Sequence, residues 1–337
     1  MSMAAAYIRT PHRNIHLHVE KGDALAYVGD LLILKYAQAL HGVDRAAALV
    51  LGPNLFLPPE MPRVGDYRLF SSQGILGAAQ VLFIGVPPLR DFGYREIRDF
   101  ARTALSLASD ITIGANRIVL TVHGPNLGLD EVECFETMIA GLLDALLVGA
   151  FPSKLEDISI VEREERRADR FNQALNNLIK SRVLPIDDRG VLSLNLEPAT
   201  RERIRAAGYA SESKPFLFVA MPFRDDMRDH YDYGILTAAQ RAGLLCERVD
   251  ETHFTGDILA RVKDRIDACK AVVADLSYAN PNVYLEVGYA WGRNKPTILL
   301  VRDGDELKFD VQGQRCLKYR RIKDIEQSLG EELTHLD

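Results

Sequence analysis

Residues 271–296 read AVVADLSYANPNVYLEVGYAWGRNKP. An apolar run of strand length, Ala271 to Ala274, ends at Asp275 and passes into the Asn/Pro-rich loop Ser277–Asn282. An amphipathic helix follows, with Glu286 one turn inside its start. A carboxylate at a strand's C-terminal end and another near the start of the next helix would face one crevice. That is where open α/β sheets bind their ligands. This stretch is therefore the expected active site.

Working outward, the second half alternates in the same way. Strands are expected at Phe216–Met221, Leu245–Val249, Ala271–Ala274, Thr297–Val301 and Arg315–Tyr319. Helices are expected at Tyr233–Ala242 (ending on Gly243), Gly256–Ala268, Asn282–Arg293 and Lys323–Leu333. Strand–helix alternation of this kind implies a parallel sheet with helices on both faces. The first half also alternates: strands at Asn14–Glu20, Asp30–Tyr36, Ala79–Val86, Arg117–Val122 and Asp157–Val161, and helices at Tyr94–Ser109, Asp130–Val148 and Glu164–Arg182. Between the halves, residues 183–213 carry Pro185, the turn-like Asp187-Asp188-Arg189-Gly190 and Pro198, with room for a short helix at Ala199–Ala207. The expectation is thus an α/β protein of two domains, 1–182 and 214–337, joined by a linker.

With 337 residues, 47% hydrophobic and 26% charged, the chain has the composition of a soluble globular protein. A net charge of −6 gives no basic footprint for nucleic acid and offers nothing to an anionic membrane. Its longest apolar runs are strand-sized, far below the ~20 residues of a membrane helix. The opening MSMAAAYIRTPHRN lacks a signal peptide's order, so a cytoplasmic protein is expected. Cys134, Cys246, Cys269 and Cys316 form no CxxC pair, and the eight histidines form no HExxH motif. Ligand spacing therefore predicts neither a disulfide framework nor a metal centre, although His16 and His18 alternate on one strand.

In a parallel sheet the ligand-facing residues collect at the C-terminal strand ends. The first strand of the second half delivers Met221-Pro222-Phe223-Arg224 and the second Asp250-Glu251; the third delivers Asp275, with Asn280 and Asn282 just beyond. Asn282, Glu286, Tyr289 and Arg293 share one helical face. Four polar residues on one face suit a ligand site; equally, Glu286 and Arg293 could face solvent with Asn282 capping the helix.

The pattern FLFVAMPF…GDILARVKDRIDACKAVVADLSYANPNVYLEVGYAWGRNKPTILL resembles the nucleoside 2-deoxyribosyltransferase-like superfamily, related to nucleotide N-glycosidases and TIR-like NAD-cleaving domains. The resemblance covers roughly residues 214–320 and implies a flavodoxin-like sheet and chemistry at the C1′ carbon of a ribosyl group. It makes Glu286 the catalytic glutamate, Asp275 an acidic partner and Asn282 a polar contact. Phe223, Tyr231 or Tyr233, and Asp250 match less closely. Arg224, or the backbone N–H groups at the start of the Asn282 helix, would hold a phosphate, with Asn280 and Tyr289 completing the substrate-binding set; a surface charge at Arg224 and a core ring at Phe223 explain those two residues as well. AMPFRDDM departs from the close transferase pattern, which favours hydrolysis over transfer to a second base.

In the first half, IHLHVEKGDALAYVGDLLILKYAQALHG, QVLFIGVPP and IVLTVHGPNLGLDEVECF resemble a macro-type α/β fold, closest to the non-catalytic N-terminal domain of leucine aminopeptidases. That resemblance implies an ADP-ribose-type ligand loop at His123, Gly124, Asn126 and Gly128; a plain tight turn explains those residues as well. Taken together, the sequence predicts a cytoplasmic nucleotide N-glycosidase. NAD or a related nucleotide would be its substrate, with no resident cofactor, no metal and no direct nucleic-acid or membrane partner. A homo-oligomer is expected, because related enzymes complete their pockets with a neighbouring subunit. A deoxyribosyltransferase and a non-enzymatic nucleotide or ADP-ribose sensor are the alternatives. The pairing of a sensor-like with a TIR-like half is similar to bacterial antiphage effectors.

Overall fold

Leu31, Leu32, Ile33 and Leu34 have no exposed surface at all, the signature of a strand covered on both faces. They lie near the centre of a mixed eight-stranded sheet in the computed structural model, which describes residues 5–9, 14–52, 61–111, 114–180, 191–193, 205–249, 258–308 and 311–336. The chain divides into two units. Met1–Pro125 with Glu131–Glu212 form the first, and Asn126–Asp130 with Ser213–Asp337 form the second. No helix among the described residues is long and apolar enough to cross a membrane.

The first unit's strands are β1 (Ala5–Arg9), β2 (Asn14–Lys21), β3 (Gly29–Tyr36), β4 (Tyr67–Ser71), β5 (Ala78–Gly85), β6 (Arg117–Leu120), β7 (Asp157–Glu162) and β8 (Val191–Ser193). Their order is β4-β5-β3-β6-β7-β2-β1-β8, with a parallel centre from β5 to β2. The antiparallel pairs β4/β5 and β1/β2 flank that centre. Helices α1 (Gly42–Leu51), α2 (Tyr94–Ile111), α3 (Glu131–Leu147) and α4 (Glu165–Lys180) complete it. Phe135 of α3 stacks on Phe171 of α4 with ring centres 5.0 Å apart. Helices α2 and α3 approach closely at Gly141, where a Cβ would meet the Arg98 carbonyl oxygen at 2.2 Å.

Two segments of the expected linker belong to this unit. β8 pairs in parallel with β1 at the sheet edge. Arg98, only 2% exposed, holds Asp144 bidentately at 2.7 and 2.9 Å and donates to the carbonyls of Arg205 (2.8 Å) and Ala207. Ser211 donates to Glu133. A buried guanidinium needs acceptors for its full fork, and the chain near 205–211 supplies those that Asp144 does not. Most of the expected helix Ala199–Ala207 lies outside the described residues.

The second unit is a five-stranded, all-parallel sheet of β9 (Phe216–Ala220), β10 (Leu245–Glu247), β11 (Ala271–Asp275), β12 (Thr297–Arg302) and β13 (Cys316–Tyr319), ordered β10-β9-β11-β12-β13. Numbered from its own first strand this is 2-1-3-4-5, the flavodoxin-like winding. Successive residues of β9 enter opposite cores, as a two-residue period requires. Leu217 and Val219 pack with α5 (Leu236–Arg241) and α8 (Ile322–Leu333), while Phe218 and Ala220 pack with α6 (Ile258–Ala268) and α7 (Pro281–Gly292). A π-helical turn, His230–Ile235, precedes α5 and replaces the start of the helix expected at Tyr233.

Candidate functional site

Winding order reverses between β9 and β11, so their C-terminal ends flank the crevice where doubly wound sheets bind ligands. Asp275 ends β11 there. It is completely buried, and it accepts hydrogen bonds from the Ser277 backbone N–H at 3.0 Å and the Tyr319 hydroxyl at 2.8 Å. Burial pushes its carboxyl above the usual range, and the Ser277 and Tyr319 donors only partly offset this. Burial and the Asp275 charge together raise the Tyr319 phenol. Ser277 Oγ lies 3.0 Å from the Tyr319 hydroxyl and accepts from the Arg302 N–H at 3.0 Å, so the network ties together the ends of β11, β12 and β13.

The loop beyond is strained. Tyr278 and Ala279 take φ values of 63° and 49°, left-handed conformations that cost on the order of 1–3 kcal/mol each in non-glycine residues. Asp305 accepts from the Tyr278 N–H at 3.0 Å and helps to hold the turn. Its effect is to deliver Asn280 to the N-cap of α7, where the side chain accepts from the Asn282 N–H at 2.9 Å and Pro281 follows at N1.

Around this turn the sequence-predicted residues are already engaged. Arg224 pairs with Asp226 at 3.0 Å and lies 4.2 Å from the centre of the Tyr278 ring; Arg302 lies 4.4 Å from the same ring. The Tyr278 hydroxyl donates to Asp226 and receives Arg302 at 2.8 Å. Phe223, 37% exposed, and the buried Tyr231 flank Arg248, whose guanidinium carbon is 4.8 and 4.1 Å from their ring centres. Tyr231 also donates to the Cys246 carbonyl at 3.4 Å. Glu286 is partly buried on α7 and Asn282 is exposed. Tyr289 turns to the neighbouring helix: its hydroxyl donates to Asp267 at 3.0 Å, and Arg293 joins the same carboxylate at 2.7 Å. Those contacts account for the polar spacing of Tyr289 and Arg293 as a clamp between α6 and α7. Asp250 lies outside the described residues.

The predicted ligand loop of the first half is divided. His123, Gly124 and Pro125 stay with the first unit, whereas 126–130 fold with the second. There the Leu127 carbonyl accepts from Arg261 at 2.7 Å, Asp130 accepts from the Cys246 N–H at 3.0 Å, and Gly128 abuts Val249 at a φ of 93°. Gly128 is thereby a close-approach glycine. The side chain of Asn126 lies outside the described residues.

His123 instead joins a buried polar group that sequence reasoning missed. Lys35, at the end of β3, reaches Asp44 in the first turn of α1 at 2.7 Å, and both are at most 5% exposed. Burial raises the Asp44 carboxyl, with Lys35 pulling it back. Burial and then the Lys35 charge hold His123 well below its ordinary value, so its imidazole is neutral at pH 7. Among the described residues, Asp44 Oδ1, His123 Nε2 and Thr121 Oγ1 find no hydrogen-bond partner although they are buried. One signal was available: Lys35 closes a run, Leu31–Leu34, that is otherwise wholly apolar.

No family model and no curated protein matches the chain. Solved structures similar to its N-terminal half include an Oceanobacillus iheyensis macrodomain with ADP, at 18% identity and a TM-score of 0.43, covering 54% of this chain and all of that one. A Trypanosoma brucei macrodomain in complex with ADP-ribose gives 20% identity and a TM-score of 0.39, covering 47% of this chain and 68% of that one. These likenesses do not extend to the deoxyribosyltransferase-like reading of the second half.

Proposed function

We propose that the second unit is a nucleotide N-glycosidase that cuts the bond between base and ribose of NAD or a related nucleotide, with Glu286 as its catalytic carboxylate. One observation carries the reading: the loop from Asp275 to Asn280 leaves the sheet at its point of winding reversal and opens directly into the helix that bears Glu286. Breaking an N-glycosidic bond builds positive charge at C1′, and a carboxylate beneath the ring stabilises or captures it. Nicotinamide departs neutral and needs no acid. Asp275, wholly buried, acts through the Ser277–Tyr319 network by fixing the loop. Phe223, already over Arg248, presents a ring and a guanidinium face to a base. Incubation with NAD and with nucleoside monophosphates should release free base, and Glu286→Gln should lower the rate by about 10²–10³-fold. Equal release by both proteins would refute the assignment. A role in antiphage defence, and completion of the pocket by a second copy of the chain, belong to this same proposal.

The alternative of a deoxyribosyltransferase predicts product only when an acceptor base is added. The alternative of a nucleotide or ADP-ribose sensor is favoured by a separate observation, the unpartnered buried atoms of Asp44, His123 and Thr121 in the first unit. Such atoms cost about 1–3 kcal/mol each until a polar ligand or water satisfies them. Saturable binding of ADP-ribose that Lys35→Met abolishes, without turnover, would support the sensor.

A further inference from the structure

Away from both sites, His16 and His18 of β2 and Asp157 of β7 gather one ligand atom each within 4.8 Å of one another. Register explains the meeting. His16 lies opposite Asp157 and His18 opposite Ser159 on adjacent parallel strands, so all four side chains share one sheet face. We propose that His16 Nδ1, His18 Nε2 and Asp157 Oδ2 bind a divalent transition metal of the zinc class.

The distances fit such an ion. Asp157 Oδ2 is 3.0 Å from His16 Nδ1 and 3.2 Å from His18 Nε2. Donors held ~2.0–2.1 Å from a tetrahedral ion lie about 3.3 Å from each other. Both carboxylate–imidazole distances match that spacing to within a few tenths of an ångström. Its surroundings resemble the support that metal ligands receive. Glu20 Oε1 is 3.2 Å from His18 Nδ1, so a proton moved to that nitrogen finds a carboxylate and leaves the Nε2 lone pair for the metal. Ser159 donates to Asp157 Oδ1, which leaves Oδ2 for the imidazoles.

Two contacts work against the ion. The Ser159 hydroxyl is also 3.0 Å from His18 Nε2 and must turn away, and Arg117 Nε stands 3.8 Å from Asp157 Oδ1. Against one guanidinium the site sets two carboxylates, Asp157 and Glu20. His16 is 28% exposed on its side chain, so the cluster can be reached from solvent. The sequence predicted no metal because Asp157 lies 141 and 139 residues from His16 and His18 and is joined to them only by strand register.

The experiment is a titration of the chelator-stripped, untagged full chain with Zn²⁺ against a chromophoric competitor, and with Co²⁺ followed by visible absorption. The expected result is one high-affinity equivalent, weakened at least tenfold in His18→Ala and in Asp157→Asn, and retained in Cys316→Ser. Circular dichroism checks that each variant is folded. An imidazole-detected nitrogen NMR spectrum of the wild type guards against variants that fail to fold: Zn²⁺ should move the resonances of His16 and His18. Binding no tighter than that of a His16→Ala/His18→Ala double variant, or shifts confined to the other six of the eight histidines, would overturn the proposal.

Discussion

Replacing Tyr319 by Phe deletes one oxygen from a site with almost no solvent, since Tyr319 is 1% exposed and Asp275 is fully buried. Lost with it are the 2.8 Å bond to Asp275 Oδ2 and the 3.0 Å contact with Ser277 Oγ. Asp275 keeps the Ser277 N–H on its other oxygen, and Ser277 keeps the Arg302 N–H. A hydrogen bond to a charged group contributes about 1.5–3 kcal/mol, so the folding constant of the second unit should fall by about 10–150-fold at pH 7.

The sign of the pH effect follows from the carboxyl. Burial already holds Asp275 above its unfolded value of 3.8, so the folded protein takes up a proton first, and stability falls as pH rises through that window. Tyr319 opposes this shift. Without the phenol the window extends upward, and the penalty of the variant grows with pH. Well below the unfolded value of 3.8, where Asp275 is protonated in both states, only the loss of a neutral bond remains, about 0.5–1.5 kcal/mol. Trp291, the sole tryptophan, sits in α7 and reports unfolding of this unit. Urea titrations followed by its fluorescence at both pH values measure the effect. A penalty below about 0.5 kcal/mol at neutral pH, or one that does not shrink on acidification, would refute the network as described.

In the first unit, Lys35→Met should cost about 3–5 kcal/mol by stranding Asp44, whereas Lys35→Met combined with Asp44→Leu should recover most of that loss in thermal melts. Asp144→Ala removes the carboxylate that the buried Arg98 guanidinium holds bidentately. A similar penalty and faster proteolysis between residues 205 and 212 are expected, read on gels of timed digests. Burial raises the thiols of Cys246, Cys269 (to about 11) and Cys316, and Cys134 is buried, so Ellman's reagent should label the native protein at Cys316 first and at the others only after unfolding. Asp267→Ala should destabilise the contact of α6 with α7 by about 0.5–1.5 kcal/mol, with base release unchanged if Tyr289 serves packing alone.

What the sequence revealed follows from how local each signal was. Apolar runs such as Leu31–Leu34 and Ala271–Ala274 announced central strands, and the Asn280-Pro281 pair announced the start of a helix, because strand burial and capping are written within a few residues. β4 went unread since Tyr67–Ser71 is a short edge strand, exposed except at the adjacent, half-buried Leu69 and Phe70, with no alternation to detect. Helix α1 was hidden by its length of ten residues. At the candidate site, Asp275 and its loop were legible, but their partners were not. Tyr319 and Arg302 reach the Asp275–Ser277 turn only because neighbouring parallel strands align their C-terminal ends, and no sequence spacing encodes that. The inter-helix role of Tyr289 and Arg293 on α7 was illegible for the same reason, because their partner Asp267 lies on another helix.

Residues 126–130 give the second unit a history as well as a shape. They are made before Glu131–Glu212, yet Asp130 waits for the Cys246 N–H and Leu127 for Arg261, more than a hundred residues later in synthesis. The first unit must therefore complete itself around a loop whose own partners do not yet exist, and the second cannot finish until most of the chain has left the ribosome. A gene cut at the apparent boundary near residue 213 would encode a sheet whose edge strand β10 has lost its cover.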